Sequence, residues 1–195
     1  LFFRFDPEET LKLVERWKAT MTVGSITVFI SLMNHPDIKK RDFSTMKKVF
    51  SGGAPVSPAI VESFEKTCGA YIHNIYGLTE TNSPSHFTPL GTRLPVDPVT
   101  GALSVGMPAP NTIAKIMDTE TGEKELPPGE VGEIVIKGPM VIPGYWNKPE
   151  ETAHAIRDGW LYTGDVGKMD ENGWFYVVDR KKDLIVTSGG KNIAP

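Results

Sequence analysis

Cysteine is almost missing. Cys68 stands alone in 195 residues, so no internal disulfide can form, and no Cys/His spacing offers a zinc site. Its simplest role is that of a small apolar residue on a helix. Long hydrophobic runs are missing as well. A membrane span needs roughly 20 apolar residues, and the longest candidate, Met21 to Met33, is cut by Gly24, Ser25, Thr27 and Ser31. Charge of one sign is not concentrated anywhere: 21 basic and 24 acidic side chains leave a net −3. Nucleic acid and anionic membrane surfaces are therefore not expected partners. No internal repeat, low-complexity tract or secretory leader is visible, and the expected location is the cytoplasm. The chain opens on Leu1-Phe2-Phe3 and closes on Ile193-Ala194-Pro195, and both ends are expected to continue in a longer protein.

What the chain has in excess is backbone punctuation. Its 19 Gly and 16 Pro exceed the usual combined share of about 12 %. Hydrophobic residues at 39 % and charged residues at 23 % still describe a folded globular chain. Over residues 1–88 helix and strand signals alternate. Asp6-Pro7-Glu8-Glu9 combines an N-cap, a proline at the first helical position and two acids in the first turn, and Leu11, Val14 and Trp17 follow at helical spacing. Ser57-Pro58 opens another helix, with Ile60, Val61, Phe64 and Cys68 inward and Gly69 as its stop. Lys48 to Ser51 and Tyr71 to Tyr76 read as buried strands of a parallel sheet. Met21 to Met33 reads as a strand through Val23 and a helix from about Thr27.

After Pro89 the apolar runs become short and alternating: Ile113 to Met117, Glu133 to Lys137, Trp174 to Val178. Asp170-Glu171-Asn172-Gly173 and Asp118-Thr119-Glu120-Thr121-Gly122 are turn signals, and one short helix is expected from Pro149 to about Ile156. Residues 89–179 thus read as an antiparallel barrel or twisted sheet, with a further, incomplete unit from about Asp179.

Three segments place polar groups at strand ends, where open α/β sheets bind ligands. Ser51-Gly52-Gly53-Ala54-Pro55 follows a strand, and its glycines allow close backbone approach to a ligand; alone it equally suits a strand-to-helix turn. His73-Asn74-Ile75-Tyr76-Gly77-Leu78-Thr79-Glu80-Thr81 ends a strand in an aromatic, a flexible glycine, a hydroxyl and a carboxylate. Alone, Tyr76 suits a core and Glu80 a surface. Tyr162-Thr163-Gly164-Asp165 is followed by Asp179-Arg180-Lys181-Lys182-Asp183, five charges after Val177-Val178. A solvated turn would account for them, but an exposed hairpin rarely needs five charges.

In this order and spacing the segments resemble the adenylate-forming superfamily of acyl-CoA synthetases, aryl-CoA ligases, peptide-synthetase adenylation domains and firefly luciferase. The matching stretches are SGGAPVSP, NIYGLTET, GEIVIKGPMVIPGYWNKPEET and GWLYTGDVGKMDENGWFYVVDRKKDLIVTSGGKNIAP, and the resemblance extends over essentially the whole chain from Val49 onward. Within the superfamily the chain looks most like a fatty-acid or other carboxylic-acid CoA ligase. The resemblance implies an α/β fold. Residues 1–88 would be the second α/β lobe, with parallel strands, and residues 89–179 an antiparallel β-barrel subdomain. Residues 180–195 would hold the hinge and first strand of a small C-terminal α+β domain.

Such enzymes join a carboxylate to AMP, expel pyrophosphate and pass the acyl group to the CoA thiol. The resemblance therefore implies ATP/AMP, Mg²⁺ and coenzyme A as cofactors, and a carboxylic acid and the remainder of its own chain as partners. Tyr76 would stack on adenine, with Gly53, Ala54 and Pro55 walling the other side, Asn74 on the purine edge and Gly77 giving the loop its freedom. Thr79 would bond the α-phosphate, and Glu80 would be a hard oxygen ligand for Mg²⁺. Asp165 would accept the ribose hydroxyls, and Arg180 would approach ribose and phosphate. Lys182 would be the pivot between adenylating and thioester-forming poses, and Gly189 and Gly190 would line the pantetheine channel.

The family's Ser/Thr/Gly-rich phosphate loop and its C-terminal carboxylate-binding lysine do not occur in these residues, so the segment alone is expected to be inactive. Ile75 stands where many aryl-CoA ligases carry Gly, which bars carrying over their substrates. Two alternatives stay open: an adenylation domain loading a carrier protein, and a non-enzymatic nucleotide-binding module.

Overall fold

The computed structural model describes residues 4–82, 84–180, 185–186 and 192–193. The chain divides into two compact units, Leu1–Ile75 with Thr88–Leu94, and Tyr76–Phe87 with Pro95–Pro195. The loop after Tyr76 therefore packs with the second unit although it leaves a strand of the first.

In the first unit three strands, β1 (Met21–Gly24), β2 (Lys48–Ser51) and β3 (Ile72–Tyr76), alternate with helices α1 (Pro7–Trp17), α2 (Ile26–Met33) and α3 (Pro58–Cys68). The strands pair in parallel in the order β1, β2, β3, with Thr22 opposite Val49 and Val49 opposite Ile72. Helix starts follow local chemistry. The Asp6 carboxylate accepts the Glu9 amide at 2.9 Å, and the Ser57 hydroxyl accepts the Ile60 amide at 3.3 Å, each supplying a partner that the first turn lacks. Gly69 ends α3 in the left-handed region, φ 69°. Phe29 and Phe64 meet edge to face at 5.5 Å between α2 and α3, a favoured geometry for aromatic pairs. Leu11 and Val14 are buried, but Trp17 is 70 % exposed. It sits at the helix end with the Arg16 guanidinium over its ring, so the helical spacing overstated the buried stripe by one residue.

The second unit is mainly antiparallel. Short strands β4 (His86–Phe87) and β5 (Met107–Pro108) pair with each other. Strands β6 (Ile113–Met117), β7 (Gly132–Lys137), β8 (Ile156–Arg157), β9 (Trp160–Met169) and β10 (Phe175–Arg180) form a sheet in the order β10, β9, β7, β6, with β8 beside β9. Among the described residues the sheet is open. A short helix, α4 (Pro149–Ala155), precedes β8, and β11 (Ile185–Val186) pairs with β12 (Asn192–Ile193) near the end. The turn from β9 to β10 closes on the Asp170 amide to the Trp174 carbonyl at 2.9 Å, with Gly173 at φ 82°. Asp118 gathers the amides of Thr121, Glu123 and Lys124 in the other expected turn.

Val105, Ile116, Ile134, Ile136 and Phe175 form the core of this unit, and Tyr76, Leu78 and Val141 pack against it. Lys168 of β9 reaches the buried Asp97 at 2.6 Å. Burial works to raise the Asp97 carboxyl, but Lys168 and the Thr100 donors outweigh it and hold it at about 2. Among the described residues no helix is long and apolar enough to cross a membrane.

Candidate functional site

Asp165 owes its position to a break in strand pairing. In β7, Glu133 and Val135 face Val166 and Tyr162 of β9, so Thr163-Gly164-Asp165 bulges opposite Ile134. Bulges re-aim side chains, and this one is held at each residue. The Thr163 hydroxyl donates to the Ile134 carbonyl at 2.7 Å and accepts the Asp165 amide at 3.1 Å. The Gly164 amide donates to Oε1 of Glu133 at 2.9 Å. Gly164 takes φ 72°, a conformation that glycine adopts without strain. A second irregularity, between Val177 and Asp179 of β10, lies on the other side, and Arg180 pairs in register with Asp165. Asp165 is 5 % exposed.

Tyr76 ends β3, and its hydroxyl donates to Oδ2 of Asp165 at 2.7 Å. Its carbonyl accepts the Ser85 amide at 2.8 Å, which folds the intervening loop back. Beneath the Tyr76 ring lies His86, centroids 5.6 Å apart, which in turn lies 4.6 Å from the Phe175 ring. His86 is fully buried, its Nδ1 meets the Ser85 hydroxyl at 3.0 Å, and its Nε2 has no hydrogen-bond partner among the described residues. Burial pushes its pKa down to about 3, so the ring is neutral.

Past the exposed Gly77, residues Thr79–Thr81 make one 3₁₀ turn. The buried Thr81 hydroxyl accepts the Leu78 amide at 2.9 Å, and Asn82 closes the turn at φ 53°. Thr79 is exposed and Glu80 half-buried. Oε1 of Glu80 accepts the Tyr145 hydroxyl at 2.6 Å.

The second unit thus brings together Tyr76, Asp165 and the turn carrying Thr79 and Glu80. Gly53, Ala54, Pro55 and Asn74 belong to the first unit. There the first three are exposed and Asn74 is buried. Gly52 is the glycine that a close approach demands. A Cβ on it would lie 2.7 Å from Cγ1 and 3.0 Å from the carbonyl oxygen of Ile75, so the neighbour it admits is the next strand. Gly53 needs its own freedom for φ 78°. The Arg180 side chain, Lys182, Gly189 and Gly190 lie outside the described residues.

Glu80 suits a metal that arrives with its own oxygens. Mg²⁺ keeps several waters and takes one or two carboxylates plus phosphate oxygens, and a lone half-buried carboxylate on a turn supplies that share. Among the described residues the one His/Asp/Glu group close enough to share an ion is Glu8, His35 and Asp37. It is already faced by Arg41, Lys12 and Lys40. A surface hollow of about 410 Å³ lies against Lys115, Arg157, Trp160 and Tyr162. None of the expected site residues lines it, so the chemistry of the side chains outweighs its concavity.

Two supporting side chains have no clear sequence signal: the Glu133 carboxylate, which accepts the Gly164 amide, and the Tyr145 phenol, which donates to Glu80. Glu133 signals itself only as one acid on the face that it shares with Val135. Tyr145 gives no local signal, because its partner lies 65 positions away.

A model of the AMP-binding enzyme family matches residues 2–146. The long-chain-fatty-acid–CoA ligase of Bacillus subtilis (strain 168) is 46 % identical over 193 residues, which are 98 % of this chain and 33 % of that protein. A feruloyl-CoA synthase from Amycolatopsis sp is 39 % identical over 191 residues, 98 % of this chain and 37 % of that protein. The crystal structure of ATP-bound MatB from Rhodopseudomonas palustris is similar over the whole chain and 37 % of its own, with TM-score 0.84 and 35 % identity. The chain spans about a third of the length of the curated relatives that it matches.

Proposed function

This chain belongs to the AMP-binding enzyme family, and from that premise we propose that it is the nucleotide-gripping part of an AMP-forming acid–CoA ligase whose acid is a fatty acid. The observation that carries the proposal is the hydrogen bond from Tyr76 to Asp165. It joins an aromatic face suited to adenine and a carboxylate suited to ribose into one rigid piece.

In this reading the Tyr76 ring stacks on adenine, and Gly53, Ala54, Pro55 and Asn74 are further candidate contacts of the base. Asp165 accepts the ribose hydroxyls, and Arg180 is a further candidate contact for ribose and phosphate. Thr79 donates to the α-phosphate as the acid carboxylate attacks it and pyrophosphate leaves. Glu80 would hold Mg²⁺, and the metal would supply positive charge against the phosphates. Gly189 and Gly190 are the candidate contacts for the CoA arm, and Lys182 is the candidate pivot between the two half-reactions. The name of the relative from Bacillus subtilis, at 46 % identity, supports a long-chain acid. An aryl acid is the second reading, favoured by the feruloyl-CoA synthase relative. The 195 residues alone hold no lysine-bearing phosphate loop, and we infer that they do not adenylate unaided.

The test is acid-dependent ATP–pyrophosphate exchange by the protein in its complete reading frame, followed by CoA consumption. Exchange with palmitate above ferulate, with CoA consumed, is the expected result. Exchange with ferulate alone selects the aryl acid, and a carrier protein replacing CoA changes the acceptor. No exchange with any acid overturns the proposal.

A further inference from the structure

The segment between β7 and α4 is fastened onto the turn that carries Glu80. The Ile142 amide donates to the Glu80 carbonyl at 2.9 Å. The side-chain amide of Asn82 donates to the Met140 carbonyl at 2.9 Å, and the Tyr145 hydroxyl donates to Oε1 of Glu80 at 2.6 Å. Tyr145 is itself anchored, because its amide donates to the Thr152 hydroxyl at 2.9 Å, and that hydroxyl donates to the Lys148 carbonyl at 2.7 Å. The residue before it has to be glycine, since a Cβ on Gly144 would lie 2.7 Å from Cγ2 of Thr152. Three hydrogen bonds to one short turn, backed by a tyrosine fixed at its own backbone, exceed what closing a surface loop requires.

We propose that Tyr145 is the positioning residue for the metal-binding carboxylate: it fixes the Glu80 side chain through Oε1 so that the carboxylate meets Mg²⁺·ATP in one orientation. This inference rests on the reading of Glu80 as the magnesium ligand. The chemistry of the partner is suited to that task. A phenol satisfies one carboxylate oxygen without cancelling the negative charge that the metal needs, whereas a lysine or arginine there would compete with the metal. Residues that orient metal ligands typically change metal affinity by about 10- to 100-fold when removed.

The experiment uses the protein in its complete reading frame, with Mn²⁺ as the probe. Electron paramagnetic resonance reads Mn²⁺ binding in the presence of ATP, and calorimetry reads AMP binding without metal. Tyr145→Phe, which keeps the ring, is expected to weaken Mn²⁺ binding about tenfold and leave AMP affinity unchanged, while Glu80→Gln weakens Mn²⁺ binding at least as much. If Glu80→Gln weakens Mn²⁺ binding and Tyr145→Phe behaves as wild type, the positioning role is overturned and the reading of Glu80 stands. If Glu80→Gln leaves Mn²⁺ binding unchanged, the reading of Glu80 fails and the inference falls with it. Equal loss of Mn²⁺ and AMP binding in Tyr145→Phe marks general disruption and likewise overturns the positioning role.

Discussion

The hydroxyl of Tyr76 donates to Oδ2 of Asp165 over 2.7 Å, between residues 89 positions apart. Each end is built independently of the other. Tyr76 is fixed by the return of Ser85 to its carbonyl and by His86 beneath its ring, and Asp165 by the bulge that Glu133 and Thr163 hold. The bond therefore connects two preformed pieces, which is the arrangement that a rigid ligand clamp requires.

The bulge depends on Gly164, whose φ of 72° leaves open space where a Cβ would project. Strain in the backbone, rather than crowding, decides what can replace it. Gly164→Val is expected to cost roughly 1–3 kcal/mol and Gly164→Asn less, because asparagine tolerates the left-handed region. Urea unfolding of both variants gives the comparison, and equal costs would mean that the conformation at Gly164 is not what matters.

Crowding decides the outcome at Gly52, where the opposing atoms belong to Ile75. Gly52→Ala is expected to destabilise by about 1–3 kcal/mol. Adding Ile75→Val removes only Cδ1, so little should be recovered; Ile75→Ala removes Cγ1 and should recover part of the loss. A coupling of about 0.5 kcal/mol or more between Gly52→Ala and Ile75→Ala is the expected signature of direct contact. Additive effects would contradict the contact.

His86 makes stability pH-dependent. Its pKa is 6.5 when exposed and about 3 in the folded chain, because burial disfavours the charged ring. Above pH 6.5 both states are neutral and the residue contributes no pH dependence. Below it the unfolded chain binds a proton that the folded chain refuses, so stability falls with pH until about pH 3. Between pH 7 and pH 5 the loss should be about 2 kcal/mol. That window lies above the range in which Asp97, held at about 2 when folded, begins to matter. The comparison is unfolding at both pH values in wild type and in His86→Gln. An undiminished pH dependence in the variant would assign it to another group.

Local elements were readable because their signals are local. Asp6 and Ser57 cap the helices that their positions announced, and Gly69 and Gly173 take the positive φ that helix end and hairpin demand. The parallel strands β1 to β3 and the antiparallel β6, β7, β9 and β10 followed from the change in apolar pattern after Pro89. Trp17 misled because helical spacing continues to the last residue of α1, beyond the reach of the core. The bulge at Thr163–Asp165 was not readable at all, since it exists only as a mismatch between β7 and β9. Glu133 and Tyr145 stayed hidden for the same reason: their partners lie 31 and 65 positions away.

We propose that Tyr76 and Asp165 act as one nucleotide clamp, and AMP binding to the protein in its complete reading frame reads this out. Calorimetric titration of wild type, Tyr76→Phe, Asp165→Asn and the double variant closes a thermodynamic cycle. Each single change is expected to weaken AMP binding by about tenfold or more, since each disrupts a hydrogen bond to a charged group. The double variant should be far better than the product of the two losses, because the second change finds the bond already broken. AMP affinity unchanged in both single variants, with their folds intact, would mean that the pair does not grip the nucleotide.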